Sequence, residues 1–238
     1  MNELERAIEV IRERRPRRVV AFTGAGVSAD SGIPTFRGAD GLWRNFRAED
    51  LATPEAFERD PETVWEWYEW RRDLIRKAEP NAAHLAIAKL PNTTVVTQNV
   101  DGLHARAGSS DVVELHGNIF RVRCEREKKT TVSEQPFASI PPRCSCGAIL
   151  RPDVVWFGEV LPEEAIARAS AAIIGADLLL VIGTSGVVYP AAGLVSLNRG
   201  LSIEVNPQTS AIASSCDVAI PARAADAVPR IVEAVLNP

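Results

Sequence analysis

VVAFTGAGVSADSGIPTFRGADG, residues 19 to 41, joins a short apolar run to a loop that holds five glycines in its last eighteen residues. A strand that ends in close-set glycines and runs into a helix-like segment suits pyrophosphate. Glycine lets the backbone approach the ligand, and the free N–H groups of the next helix attract the anion. The loop therefore predicts a nucleotide site, with Gly24 and Gly26 at its centre. The spacing also excludes something. After Gly26 the next glycine is Gly32, so the G-x-G-x-x-G pattern of hydride-transferring dehydrogenases is not met, and that function is the weakest alternative.

Working outward, apolar runs of strand length recur at 19–22, 94–97, 111–115, 177–183, 201–205 and 217–220. Continuous runs of this kind are typical of parallel strands buried on both faces, and helical patterns separate several of them. The fold class is α/β: a doubly wound, Rossmann-type parallel sheet. Two stretches interrupt the alternation. Residues 40–78 carry WEWYEWRRDLIR and read as a helical module, while 119–155 hold a cysteine cluster and read as a zinc-ribbon-like insertion. The expected division is a larger domain from 1–39, 79–118 and 156–238, and a smaller one from 40–78 and 119–155.

The chain has 238 residues, 46% hydrophobic and 24% charged, with a formal net charge of −4. It has no long basic run, so direct nucleic-acid binding is not expected. MNELERAIEVIRERR is an amphipathic helix rather than a leader peptide, and no apolar stretch reaches membrane-spanning length, which gives the expectation of a cytoplasmic protein without membrane contact. The expected oligomeric state is a monomer.

Three of the four cysteines, Cys124, Cys144 and Cys146, fall in one short stretch, as metal ligands do, while Cys216 stands apart before a predicted strand and is expected to be buried. The chain has three histidines. A base that acts near neutral pH is most economically one of them. His116, at a strand end beside Gly117, occupies the place where such a sheet puts its chemistry. His84 is expected to cap or pack a helix, and His104 to support a loop.

GAGVSADSGIPTFRG (24–38), TQNVDGLH (97–104), ELHGN (114–118), RPDVVWFGE (151–159), GTS (183–185) and EVNP (204–207), in that order, resemble the sirtuin family of NAD-dependent protein-lysine deacylases. The resemblance spans about residues 5 to 235. It implies that NAD is consumed as a co-substrate by cleavage of its nicotinamide–ribose bond. By residue-wise match, His116 is the general base, Asn99 and Asp101 hold the nicotinamide carboxamide and orient the ribose, and Gln98 and Val100 belong to the same segment. Ala25, Ser28, Phe36 and Arg37 come from the cofactor loop, where Phe36 shields the reacting sugar and Arg37 offers charge to phosphate. Gly183, Thr184 and Ser185 approach the phosphates, Asn206 the adenosine ribose and Ala224 the adenine.

The implied reaction starts when the acyl-lysine carbonyl oxygen attacks the anomeric carbon as nicotinamide leaves. His116 then removes a ribose hydroxyl proton, that oxygen attacks the amidate carbon, and water completes the transfer. The products are free lysine, nicotinamide and an O-acyl-ADP-ribose. The acyl-lysine peptide is expected to lie extended between the 154–159 and 186–189 segments, near Val154, Trp156, Phe157, Gly158 and Val187.

Tyr68 and Arg71 stand three apart, on one face of a helix. Arg can grip a carboxylate with two charge-assisted hydrogen bonds and Tyr can donate a third. The pair resembles the sirtuin class that removes succinyl and malonyl groups, and Ala39 matches the small residue that widens its acyl pocket; acetyl groups are expected to be accepted too. The alternative is a solvated helix whose Trp65, Trp67 and Trp70 pack between lobes.

One family pattern is broken. Sirtuins usually bind structural zinc through two C-x-x-C pairs, whereas here Cys124 is followed by Glu127 and then by Cys144-Ser145-Cys146. Either three thiolates hold zinc with Glu127, Glu125 or water as fourth ligand, or the site is vestigial. Two rival functions share the cofactor reading: a mono-ADP-ribosyltransferase or NAD glycohydrolase, and a non-catalytic NAD or acyl-peptide sensor.

Overall fold

The computed structural model describes residues 1–35 and 46–238. Phe36, Arg37 and Ala39 lie outside them. Nine strands are described: β1 (Val19–Thr23), β2 (Thr93–Thr97), β3 (Val112–Glu114), β4 (Gly117–Cys124), β5 (Lys129–Val132), β6 (Arg151–Val154), β7 (Leu178–Ile182), β8 (Leu201–Val205) and β9 (Val218–Ile220). Eight α-helices accompany them: α1 (Glu3–Arg14), α2 (Ala48–Leu51), α3 (Pro54–Arg59), α4 (Pro61–Lys77), α5 (Ala82–Ile87), α6 (Leu103–Arg106), α7 (Glu163–Ile174) and α8 (Ala224–Leu236). No helix among the described residues is long and apolar enough to cross a membrane.

The six apolar runs form one parallel sheet in the order β3-β2-β1-β7-β8-β9. Strands β1, β7 and β8 are buried at every position, which is why β1 and β7 read as nearly continuous apolar runs, while β8 buries Ser202 and Glu204 among its apolar residues. Alternate side chains serve opposite faces. Val19, Ala21, Leu178 and Leu180 join a core closed by α1, α5 and α8, whereas Val20, Phe22, Leu179 and Val181 join one that includes Ala169 and Ile173 of α7.

A second sheet, β5-β4-β6, is antiparallel and begins at Gly117, directly after His116. Its inner face packs on α2 to α4 through Ile119, Val122, Trp65, Trp67, Tyr68 and Trp156. Helix α4 starts with Asp60 accepting from the Thr63 N–H at 3.0 Å and with Pro61 at its first position. Its most deeply placed charge is Arg72, which has no exposed surface. The Arg72 guanidinium donates to the carbonyls of Ile119 (3.0 Å), Gln135 (3.0 Å) and Ser133, and its Nε pairs with Glu69 at 3.0 Å. It also sits 4.7 Å from the centre of the Phe137 ring. Burying a guanidinium is tolerable only with such a complement of acceptors.

Candidate active site

Crossovers reverse direction between β1 and β7, and a crevice opens there at the strands' carboxyl ends, the usual ligand position in an open α/β sheet. Two glycine loops meet at this point. A Cβ on Gly26 would stand 2.7 Å from the Gly183 Cα, and one on Gly183, where φ is +61°, would stand 2.5 Å from the Gly26 carbonyl carbon. The Gly26 N–H donates to the Gly183 carbonyl at 2.8 Å. The helix expected after the first loop is reduced to two 3₁₀ turns, Ala25–Val27 and Ala29–Ser31, because Gly32 turns left-handed and Pro34 follows. Close backbone approach, rather than a long helix dipole, is what this cradle offers.

Below the cradle lies a buried polar network. Ser28 Oγ donates to Asp101 Oδ2 at 2.7 Å, and Asn99 Nδ2 donates to Ser28 Oγ at 3.1 Å and to the Gly24 carbonyl at 3.2 Å. Asp101 Oδ1 accepts the Leu103 N–H at 2.9 Å. Burial pushes the Asp101 carboxyl up, against these hydrogen bonds and the charges of Arg71 and Arg106. Gln98 Nε2 donates to Thr184 Oγ1 at 3.0 Å and Asn206 Nδ2 to the Thr184 carbonyl at 2.8 Å, so the ends of β2, β7 and β8 are tied together. Ser185 is exposed at the rim, and Ala224 is buried at the first turn of α8.

His116 is half-buried, with Nδ1 2.8 Å from the Gln98 carbonyl. Burial lowers its pKa from the ordinary 6.5, and the Gln98 hydrogen bond opposes this. Gly117 has φ +79°, and a Cβ there would lie 2.2 Å from the Asp153 carbonyl oxygen, so glycine is required for β6 to pass this close beside His116.

The other two histidines sit nearer the network than their sequence surroundings indicated. His84 Nδ1 accepts the Asn81 N–H at 3.3 Å and completes the cap of α5, while its Nε2 lies 3.4 Å from Ser28 Oγ. His104 Nε2 lies 3.0 Å from Thr23 Oγ1, which bonds Thr97 Oγ1 at 2.9 Å. The two rings pack against each other, tilted by 60° with centroids 4.8 Å apart. No sequence motif announces this pairing.

Tyr68 is buried against Trp65 and Trp67, and its hydroxyl accepts from Trp156 Nε1 at 2.8 Å. Burial raises the Tyr68 pKa. Arg71 is half-buried with its guanidinium 5.1 Å from the Trp67 ring centre, and it lines a small pocket with Ile33, Thr35, Trp70 and Leu74. Asp101 is among the charges acting on Arg71, which puts the pocket electrostatically next to the polar network. Of the segments expected to flank a peptide, Val154 and Trp156 turn their side chains inward, whereas Phe157 and Val187 are exposed and Gly158 takes φ +86°. Val160 and Tyr189 are exposed as well.

In the small sheet, the turn between β4 and β5 returns Glu127 towards Cys124, and a turn closed by Gly147 N–H to the Cys144 carbonyl (2.8 Å) brings Cys144 and Cys146 to the same place. The four donor atoms of Cys124, Glu127, Cys144 and Cys146 all lie within 4.8 Å of one another. The Cys124 and Cys146 sulfurs are 3.6 Å apart. Tetrahedral zinc with bonds of about 2.3 Å separates thiolates by about 3.8 Å, so three thiolates and one carboxylate fit a structural zinc. The turn absorbs the short C-x-C spacing. Cys216 is half-buried on the large sheet, its thiol pushed up to about 12 mainly by burial.

A doubly wound sheet with a glycine cradle at its switch point, a buried amide–carboxylate–histidine crevice and a thiol-lined ribbon defines an α/β nucleotide-binding protein. Residues 24–190 match the profile of the Sir2 family, and the chain belongs to that family. It is 52% identical over 227 residues to NAD-dependent protein deacylase 2 of Pyrobaculum aerophilum, covering 92% of this chain and 91% of that one. A solved complex of a Sir2 homologue with NAD superposes with a TM-score of 0.91 at 44% identity, covering 98% of this chain and 94% of the other. A Sir2 complex with a p53 peptide and NAD+ superposes at 0.84 and 33% identity, covering 98% and 97%.

Proposed function

We propose that this protein removes acyl groups from lysine side chains of proteins at the expense of NAD, releasing nicotinamide, free lysine and O-acyl-ADP-ribose. The observation that carries the reading is the 2.8 Å contact between His116 Nδ1 and the Gln98 carbonyl, beside the Asn99–Ser28–Asp101 network. A carbonyl only accepts, so Nδ1 is protonated and Nε2 keeps its lone pair. His116 is thereby a general base, neutral at pH 7, that takes a proton from a ribose hydroxyl.

NAD, when bound, supplies the ADP-ribosyl group that receives the acyl chain. Gly24, Ala25, Gly26, Ser28, Gln98, Val100, Gly183, Thr184, Ser185, Asn206 and Ala224 hold it, with Phe36 and Arg37 completing the set. Asn99 and Asp101 grip the nicotinamide amide. The peptide lies along Phe157, Gly158 and Val187, and their apolar exposure supports this. Tyr68 and Arg71, with Ala39, select succinyl and malonyl chains, a reading supported by their shared helix face and the pocket that Arg71 lines. Zinc, held by the three cysteines and Glu127, is structural.

The test incubates the chain with NAD and acetyl-, succinyl- or malonyl-lysine peptides while following peptide mass and nicotinamide. Deacylation matched one-to-one by nicotinamide is the expected result. Nicotinamide release with the acyl group retained identifies a glycohydrolase or ADP-ribosyltransferase, and no turnover identifies a sensor. Loss of desuccinylation with retained deacetylation in Tyr68→Phe/Arg71→Met checks the acyl selector.

A further inference from the structure

Among the described residues, the Tyr68 hydroxyl has one hydrogen-bond partner, Trp156 Nε1 at 2.8 Å. An indole N–H can only donate. The phenol oxygen therefore accepts, and its own proton is directed away from Trp156. The indole itself is held on several sides. The Arg151 guanidinium lies 3.6 Å from the centre of its ring and grips Glu159 with contacts of 2.8 and 2.9 Å. Glu159 Oε2 in turn accepts the Trp156 backbone N–H at 2.9 Å, and the Phe57 ring centre is 5.1 Å away.

We infer that Trp156 is a positioning residue for acyl selection: by occupying the acceptor side of the Tyr68 hydroxyl, it leaves the O–H to donate to the carboxylate of an acidic acyl chain beside Arg71. This rests on the reading of Tyr68 and Arg71 as the acyl selector. Accepting one hydrogen bond also polarises the phenol as a donor, by roughly 10–30% per bond. A phenylalanine at 156 would fill most of the same space while leaving a buried oxygen unpartnered and its proton without a set direction. Trp156 belongs to the segment that carries Phe157 and Gly158, so peptide docking and acyl choice share one support.

The test is Trp156→Phe in the full chain, assayed with the succinyl-lysine and acetyl-lysine forms of one peptide. The ratio of kcat/KM for succinyl over acetyl should fall about tenfold, mainly through the succinyl KM, the size of one hydrogen bond to a charged group. Tyr68→Phe should lower the ratio at least as far. The double variant should go no further than Tyr68→Phe, because the indole acts through the hydroxyl. If Tyr68→Phe changes the ratio while Trp156→Phe lowers both substrates equally or affects neither, the inference is overturned and the acyl-selector reading stands. If neither variant moves the ratio, both are overturned. Should Trp156→Phe fold poorly, benzothienylalanine at 156 keeps the ring shape, replaces N–H by sulfur, and is judged by the same ratio.

Discussion

His116 and Gln98 are joined by a 2.8 Å contact between Nδ1 and a backbone carbonyl, and that carbonyl dictates which ring nitrogen carries the proton. Burial also holds the imidazole below its ordinary pKa of 6.5. A base must be neutral, so kcat/KM should rise with pH along a limb centred below 6.5 and then stay level to pH 8. His116→Ala should cost about 10²–10⁴-fold in kcat. A pH–rate profile checks both, and a limb above 6.5 contradicts the assignment.

Gly26→Ala and Gly183→Ala each place a methyl within 2.7 Å of the opposite loop's backbone. Each should destabilise the fold by about 1–3 kcal/mol and weaken NAD binding more than tenfold, with Gly183→Ala the worse because its φ is +61°. Thermal denaturation and calorimetric titration with NAD measure the two effects. Gly108→Ala, at φ +100° and with an added Cβ that meets nothing within 4 Å, is the control for positive φ alone.

Metal analysis of the purified protein should find one zinc per chain. Chelation or Cys146→Ser should lower the melting temperature, because binding free energy at such a site is folding free energy. Glu127→Gln should retain the fold but bind zinc about tenfold more weakly, since a neutral amide replaces a charged donor. Equal zinc affinity in Glu127→Gln and the wild type would remove the carboxylate from the ligand set.

Burial depresses His84 to about 4 and His104 to about 3, below the 6.5 of an unfolded imidazole. Between these values the unfolded chain binds protons that the folded chain refuses. The stability held by two neutral histidines is therefore complete above pH 6.5 and declines as pH falls towards 4. The loss is about 1.4 kcal/mol per pH unit for each fully shifted group. Denaturant titrations from pH 7 to 4.5 should show this slope, and His104→Gln should flatten it.

The large sheet was legible because its central strands β1 and β7 are buried on both faces and so leave nearly unbroken apolar runs. The small sheet was not read as strands. β5 is exposed at all four positions, and β4 mixes Arg121 and Arg123 with Ile119 and Val122, so neither leaves a strong period. The donor cluster at the ribbon was legible as a set of residues, but only the Gly147 turn explains how a C-x-C pair reaches one point. The pairings of Trp156 with Tyr68 and of His84 with His104 join distant segments, and local patterning carries no information about such contacts.

The wholly buried Arg72 has a consequence for inheritance and engineering. Its carbonyl acceptors come from β4 and from the loop at 133–135, while the charge itself and its carboxylate partner Glu69 come from α4. A chimera that exchanged either stretch alone with a relative lacking the matching half would strand a cation without its backbone carbonyls, or those carbonyls without a cation. The two stretches are therefore transplantable only as a pair, and amide exchange should find them opening together although more than forty residues separate Arg72 from the nearest of these carbonyls.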